Sequence, residues 1–125
     1  MTPGKRPWRL PAGRTLLGLA LAAATVPSAA VTGAPDEGVV PAGPFRLRYR
    51  IEGRGRPALV IGSAVYYPRV FSRTLREHLQ LVFLDHRGFA ASPGPVDTAE
   101  FALDKLIDDV ERARRQLALG PVVVV

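Results

Sequence analysis

The side chains able to do covalent or proton-transfer chemistry are few. The 125 residues include two histidines, His78 and His86, four serines, Ser28, Ser63, Ser72 and Ser92, and no cysteine. Thiol chemistry and disulfides are thereby excluded. Two histidines without cysteine make neither a zinc ligand set nor a His-Glu-x-x-His helix, so no metal and no cofactor is expected. Gly53-Arg54-Gly55 and Gly88 do not form a Gly-x-Gly-x-x-Gly turn between a strand and a helix, which removes the phosphate-loop reading. Nucleophilic chemistry would need a hydroxyl paired with a histidine and an acid, and no such triad is present. His86, within Asp85-His86-Arg87-Gly88, is weighed as a base because histidine is the usual one, and the reading as a non-catalytic loop residue is the stronger. His78 sits among Arg and Glu and reads as a solvated surface residue, and Ser72 falls inside an expected helix with no histidine or acid beside it.

These residues must be positioned by a fold, and composition allows one. Hydrophobic residues make up 47% and charged residues 22%, with 12 Gly and 12 Pro, a globular balance in a chain of single-domain length. The formal charge of +6 invites a nucleic-acid reading. The distribution argues against it. Lys5, Arg6, Arg9 and Arg14 precede every acidic residue, and without residues 1–30 the charge falls to +2. The remaining cations are interleaved with acids and lack an aromatic platform for stacking bases, so no nucleic-acid partner is expected.

The basic stretch Lys5 to Arg14 runs into an apolar segment, Thr15 to Val26, followed by Pro27 and the small residues Ser28, Ala29 and Ala30. That layout is a secretory signal peptide over 1–30, cut after Ala30. The apolar run is short and rich in Ala for a membrane span; an uncleaved membrane anchor is the alternative. A secreted or extracytoplasmic location follows. Residues 31–43 read as a flexible Pro/Gly-rich linker with at most a short strand at Val39-Val40.

The folded part is expected over 44–125. Phe45, Leu47, Tyr49 and Ile51 alternate with Arg46, Arg48, Arg50 and Glu52, the period of a strand with one buried face. Gly53 to Pro57 supplies a turn, and Ala58-Leu59-Val60-Ile61 is a continuous apolar run suited to a strand buried on both faces, giving an opening antiparallel hairpin. A helix is expected from Tyr66 to Leu79 with Val70, Phe71, Leu75 and Leu79 on one face, then a second buried strand, Leu81 to Leu84. Asp97 or Thr98 caps the next helix, which carries Leu103, Leu106, Ile107, Val110 and Leu117 on its apolar face and is closed by Gly120-Pro121. Asp108 with Arg112 and Glu111 with Arg115 are acid-before-base pairs four apart. Val122 to Val125 reads as a third buried parallel strand. The order implies an α/β fold: a hairpin, then β-α-β-α-β with parallel strands and right-handed crossovers.

From Phe45 to Val125 the chain resembles the N-terminal half of the α/β-hydrolase superfamily, of the proline iminopeptidase and esterase type. Three segments carry the resemblance in order: FRLRYRIEGRGRPALVIGS, LVFLDHRGFAAS and FALDKLIDDVERARRQLALGPVVVV. Family members commonly carry His-Gly-Gly-Pro-Gly or a related segment after the first buried strand, where a backbone N–H stabilises the oxyanion. Ile61-Gly62-Ser63-Ala64 stands there, so the resemblance makes Gly62 and the N–H of Ser63 the oxyanion-hole candidates, with Ala64 the weaker choice. Ile61 replaces the usual His and the Pro-Gly is missing, which departs from the peptidase pattern. Asp85-x-Arg87-Gly88 matches the family's Asp-x-Arg-Gly, whose role is to hold a loop; Ser92 matches its final Ser, and Ala90 stands where Gly is usual.

The resemblance also implies what is missing. Gly-x-Ser-x-Gly should follow the apolar strand directly, so the catalytic nucleophile, acid and base are all expected after Val125. The implied function is a serine hydrolase acting on a small-molecule ester or peptide, present as an exported N-terminal fragment that is inactive alone; a premature stop, an incomplete gene record or a split gene would each account for it, the last with a complementing C-terminal half as partner. The alternative is a small secreted binding or structural α/β module. A flavodoxin-like or receiver-type domain shares the alternation but fits neither the export signal nor the opening hairpin.

Overall fold

A computed structural model describes residues 33–34, 36–91 and 94–125. The signal peptide expected over 1–30 and its expected cleavage after Ala30, together with Ser28 and Ser92, lie outside the described residues. Five strands form one sheet: β1 (Glu37–Ala42), β2 (Phe45–Gly53), β3 (Arg56–Gly62), β4 (Leu79–Asp85) and β5 (Val123–Val124). Among the described residues two α-helices accompany them, α1 (Arg73–His78) and α2 (Leu103–Gln116). The strand order is β1-β2-β4-β3-β5. β1 pairs antiparallel with β2 and β2 antiparallel with β4, whereas β3 is parallel to both β4 and β5. This is the expected α/β arrangement of an antiparallel hairpin leading into parallel strands.

The hairpin sits one element earlier than the sequence suggests. It joins β1 to β2 through a two-residue loop opened by Gly43 in the left-handed region, φ 61°. β1 thus occupies much of the segment read as a linker. Its Val40 and Ala42 are fully buried, and its Pro41 is tolerated because β1 is an edge strand. β2 and β3 follow one another but do not pair, because β4 lies between them. Gly53 (φ 83°) and Gly55 (φ 114°) let the chain cross closely over the junction of α1 and β4, where a Cβ on either would strike the backbone of residues 76–79. Arg54 N–H donates to Arg76 O at 3.0 Å, fixing that crossing.

Alternate residues of the central strands feed two cores. On one face Leu59, Val82 and Leu84 pack with Phe45, Leu47 and Tyr49 of β2 and with Ala113, Leu117 and Leu119 at the end of α2. On the other, Ala58, Val60, Leu81 and Phe83 pack with Tyr67, Phe71 and Leu79. The expected 66–79 helix is broken. A 3₁₀ turn at Tyr67–Arg69 precedes α1, and Ser72 caps α1 by accepting the Leu75 N–H at 3.3 Å, so Ser72 is a cap and not a mid-helix residue. The break frees Phe71 to meet Phe83 edge-on at 5.3 Å. Arg76 secures the segment by donating to Glu52 and to the carbonyls of Phe71 and Ser72.

α2 also departs from its expected limits. Asp97 caps a separate 3₁₀ turn, Thr98–Phe101, and α2 starts at Leu103 with no side-chain cap. It ends at Gln116, with Ala118 in the left-handed region (φ 51°) and Leu119 N–H donating to Arg114 O at 2.9 Å. That six-to-one bond closes the helix ahead of Gly120-Pro121. Glu111 pairs with Arg115 as expected and also with Arg114, whereas Asp108 and Arg112 make no ion pair among the described residues. β5 is not buried: Val123, Val124 and Val125 are 58%, 53% and 61% exposed.

Candidate functional site

Strands β3, β4 and β5 run in one direction, and the chain moves from β3 to β4 on one side and from β4 to β5 across β3 on the other. The crossovers reverse at the carboxyl ends of β3 and β5, the place where open α/β sheets form their crevices. The residues there are Gly62-Ser63-Ala64, the loop after Asp85, and Val125.

Gly62 ends β3 against the ring of Tyr67, which fills the space a Cβ would need, so glycine is required for close approach. Its carbonyl accepts the His86 N–H at 2.7 Å. In a trans peptide the N–H points opposite to the C=O. Because the Gly62 carbonyl faces β4, the Ser63 N–H faces away from β4, to the side of β3 on which β5 lies. Val125 is bonded there too, donating to Leu59 O at 2.8 Å and accepting the Ile61 N–H at 2.9 Å. The Ser63 hydroxyl accepts the Tyr66 N–H at 3.1 Å and the Ser63 carbonyl accepts the Tyr67 N–H at 3.1 Å. Ala64 N–H donates to Asp85 Oδ1 at 2.8 Å. These bonds engage Ala64, the weaker oxyanion candidate, and leave the Ser63 N–H out.

The Asp85 side chain is fully buried; its second oxygen accepts from Arg48 Nε at 2.7 Å. Arg87 is buried as well. It makes a two-pronged ion pair with Asp109, at 2.5 and 2.9 Å, donates to Glu100 through both carboxylate and carbonyl, and lies 4.9 Å from the centre of the Phe45 ring. The Asp109 hydrogen bonds push the Arg87 guanidinium above its ordinary range, outweighing the opposing cost of burial, and Glu100 adds to them. Arg87 and its partners tie the loop to α2. Gly88 N–H donates to Nδ1 of His86 at 3.0 Å, so the imidazole turns its loop rather than serving a serine. Among the described residues no serine hydroxyl is hydrogen-bonded to a histidine, and no group of three metal-ligating side chains converges.

Beside this turn lies an open cleft of about 430 Å³ between α2 and the β3–β5 side of the sheet. Ile61, Leu84, Leu106, Ile107, Val110 and Val124 give it apolar walls, and His86 lies on its lining; Ser63 does not line it.

The structure brings Gly62, Ser63, Asp85, Arg87 and Gly88 to one end of the sheet. Sequence reasoning missed the partners: Arg48 for Asp85, Asp109 and Glu100 for Arg87, and Tyr67 for Gly62. Asp109 left a signal, an acid three residues after Leu106 and four before Ala113 on the inward stripe of α2, where a carboxylate needs a buried cation.

No family model matches the chain. It is 50% identical over 80 residues to the AB hydrolase superfamily protein YclE of Bacillus subtilis, a stretch that covers 64% of this chain and 28% of that protein. The chain therefore spans under a third of the length of the curated relative it matches. A proline iminopeptidase-related protein of Thermus thermophilus superposes with a TM-score of 0.58 at 26% identity, over 70% of this chain and 34% of that one. An epoxide hydrolase of Vigna radiata shares the fold at a TM-score of 0.57 and 20% identity, over 70% and 30% of the two chains. Over the 50% identical stretch and in its sheet topology, this chain is similar to part of the α/β hydrolases.

Proposed function

We propose that this chain supplies the oxyanion side of an exported serine hydrolase acting on a small-molecule ester or peptide. In that chemistry a serine attacks the carbonyl, a histidine carries the proton, an acid orients the histidine, and backbone N–H groups hold the oxyanion. Here Ser63 N–H is the oxyanion donor, Gly62 provides the close turn, and the nucleophile, acid and base belong to sequence following Val125. The observation that carries the reading is the direction of the Ser63 N–H, away from β4 and toward the carboxyl end of β5. A nucleophile on a turn directly after β5 would face it.

Two further observations support an incomplete site. The chain matches 28% of its curated relative, and the β5 edge and the adjoining cleft stand open. The peptide option leans on the likeness to a protein named as proline iminopeptidase-related, and the substitution of Ile61 for the usual His leaves the ester option equal to it. Export with cleavage after Ala30 completes the reading and is checked by N-terminal sequencing of the mature chain.

The purified 125-residue chain is expected to hydrolyse p-nitrophenyl esters no faster than background. Turnover abolished by substitution of Ser63 or His86 would overturn the proposal. So would DNA downstream of the Val125 codon that, read in frame, lacks Gly-x-Ser-x-Gly.

A further inference from the structure

We propose that Asp85 is the positioning residue of the oxyanion turn, and that Arg48 is the cation that holds it in place. The proposal rests on the reading of Ser63 as the oxyanion donor. Asp85 is the last residue of β4 and Ala64 lies two residues past the end of β3, so no ladder hydrogen bond binds Ala64 to the sheet. The bond from Ala64 N–H to Asp85 Oδ1 takes that place. The carboxylate is fully buried, and a buried charge persists only where its hydrogen bonds and a counter-charge compensate for lost water. Ala64 satisfies one oxygen and Arg48 the other. Arg48 comes from β2, across the sheet from the turn, and also reaches Phe89 O at 3.4 Å beyond the Asp85 loop.

The two peptides flanking Ser63 are thus pinned from the end of β4: one through Gly62 O to His86 N–H, the other through Ala64 N–H to Asp85. The first sets the direction of the Ser63 N–H. The second stops the following peptide from rotating and offering Ala64 N–H as a competing donor. One amide of this turn therefore faces the crevice, and the second oxyanion donor has to come from another element.

Amide hydrogen exchange and the ¹H–¹⁵N spectrum of the 125-residue chain test this without any turnover. In Asp85→Ala, Ala64 exchange is expected to accelerate about tenfold or more, the worth of a hydrogen bond to a charged acceptor, and the Ser63 amide resonance is expected to shift or split. Asp85→Asn keeps an acceptor oxygen in the same place and is expected to restore most of the Ala64 protection and a single Ser63 resonance. Arg48→Met keeps the carboxylate but not its counter-charge and is expected to give an intermediate Ala64 rate; it carries the test should Asp85→Ala fail to melt cooperatively. Unchanged Ala64 exchange in Asp85→Ala or in Arg48→Met would overturn the proposal, as would an Asp85→Asn chain no better protected than Asp85→Ala. The hydrolase reading fails separately, through the downstream sequence, so the two failures are distinguishable.

Discussion

β3 and β5 are hydrogen-bonded neighbours made of the same kind of residue, and they live in different surroundings. Leu59 of β3 is fully buried, whereas Val124, its partner in register, is 53% exposed. β3 has a strand on each side, Tyr67 of the 3₁₀ turn and Phe71 packed with one face and the end of α2 with the other. β5 has one strand beside it, and Leu103 and Ile107 of α2, which line the open cleft together with Val124, are themselves 72% and 59% exposed. The contrast teaches that an apolar run states a capacity for burial, which the elements on either side must realise. An apolar edge of this kind is a template for pairing with another chain.

Buried charge at the centre offers the strongest way to test the contrast. Arg87→Ala leaves the Asp109 carboxylate buried and unpaired, and is expected to cost about 3–5 kcal/mol in denaturant melts. Replacing both residues by apolar ones of similar volume is expected to recover most of the loss. Next, Leu59→Ala should cost about 2–5 kcal/mol, whereas Val124→Ala should stay within about 0.5 kcal/mol. Equal costs at the two paired positions would break the comparison. Gly62→Ala forces the Tyr67 ring out of its place and is expected to cost about 1–3 kcal/mol, with Tyr67 fluorescence or its ring resonances reporting the displacement.

At the periphery the effects shrink. Ala118→Gly relieves a left-handed alanine at the end of α2 and is expected to stabilise by about 0.5–1 kcal/mol, read as a rise in Tm. Smallest is Glu111. Its hydrogen bonds from Arg114, then Arg115, hold its carboxyl at about 2 against an ordinary 4.5. A depressed carboxylate stabilises the fold fully above 4.5 and loses that contribution as pH falls toward about 2. The pair is solvent-exposed, so added salt should weaken the effect. Helix circular dichroism across that pH range, compared with Glu111→Gln, measures it.

Much of the fold was legible in the chain because it depends on local pattern. The alternation of Phe45 to Glu52 gave β2 and its buried face, and the apolar runs gave β3 and β4. Strand partners were not legible. Which strand lies beside β2 depends on where the Gly53 to Pro57 connection travels, and that is set by its close approach to α1, a tertiary contact. The helix from Tyr66 failed because the apolar spacing of Val70, Phe71 and Leu75 fitted a helix, while the capping power of Ser72 and the pull of Phe83 on Phe71 favoured a break. At the site, glycines and loop residues were recognisable by type and order. The roles of Arg48 and Asp109 were not, since each acts on a residue more than twenty positions away.

The β3–β5 pairing bears on the order in which this sheet assembles. It joins the most distant segments of any strand pair, yet contributes two residue pairs, while the β1–β2 hairpin turns over two residues and contributes six. Closing the longest loop for the least reward makes β5 the last strand to dock and the first to fray. The end of the sheet at which Ser63 points is therefore the end that opens most readily, and a segment arriving there would meet a strand still free to accept it.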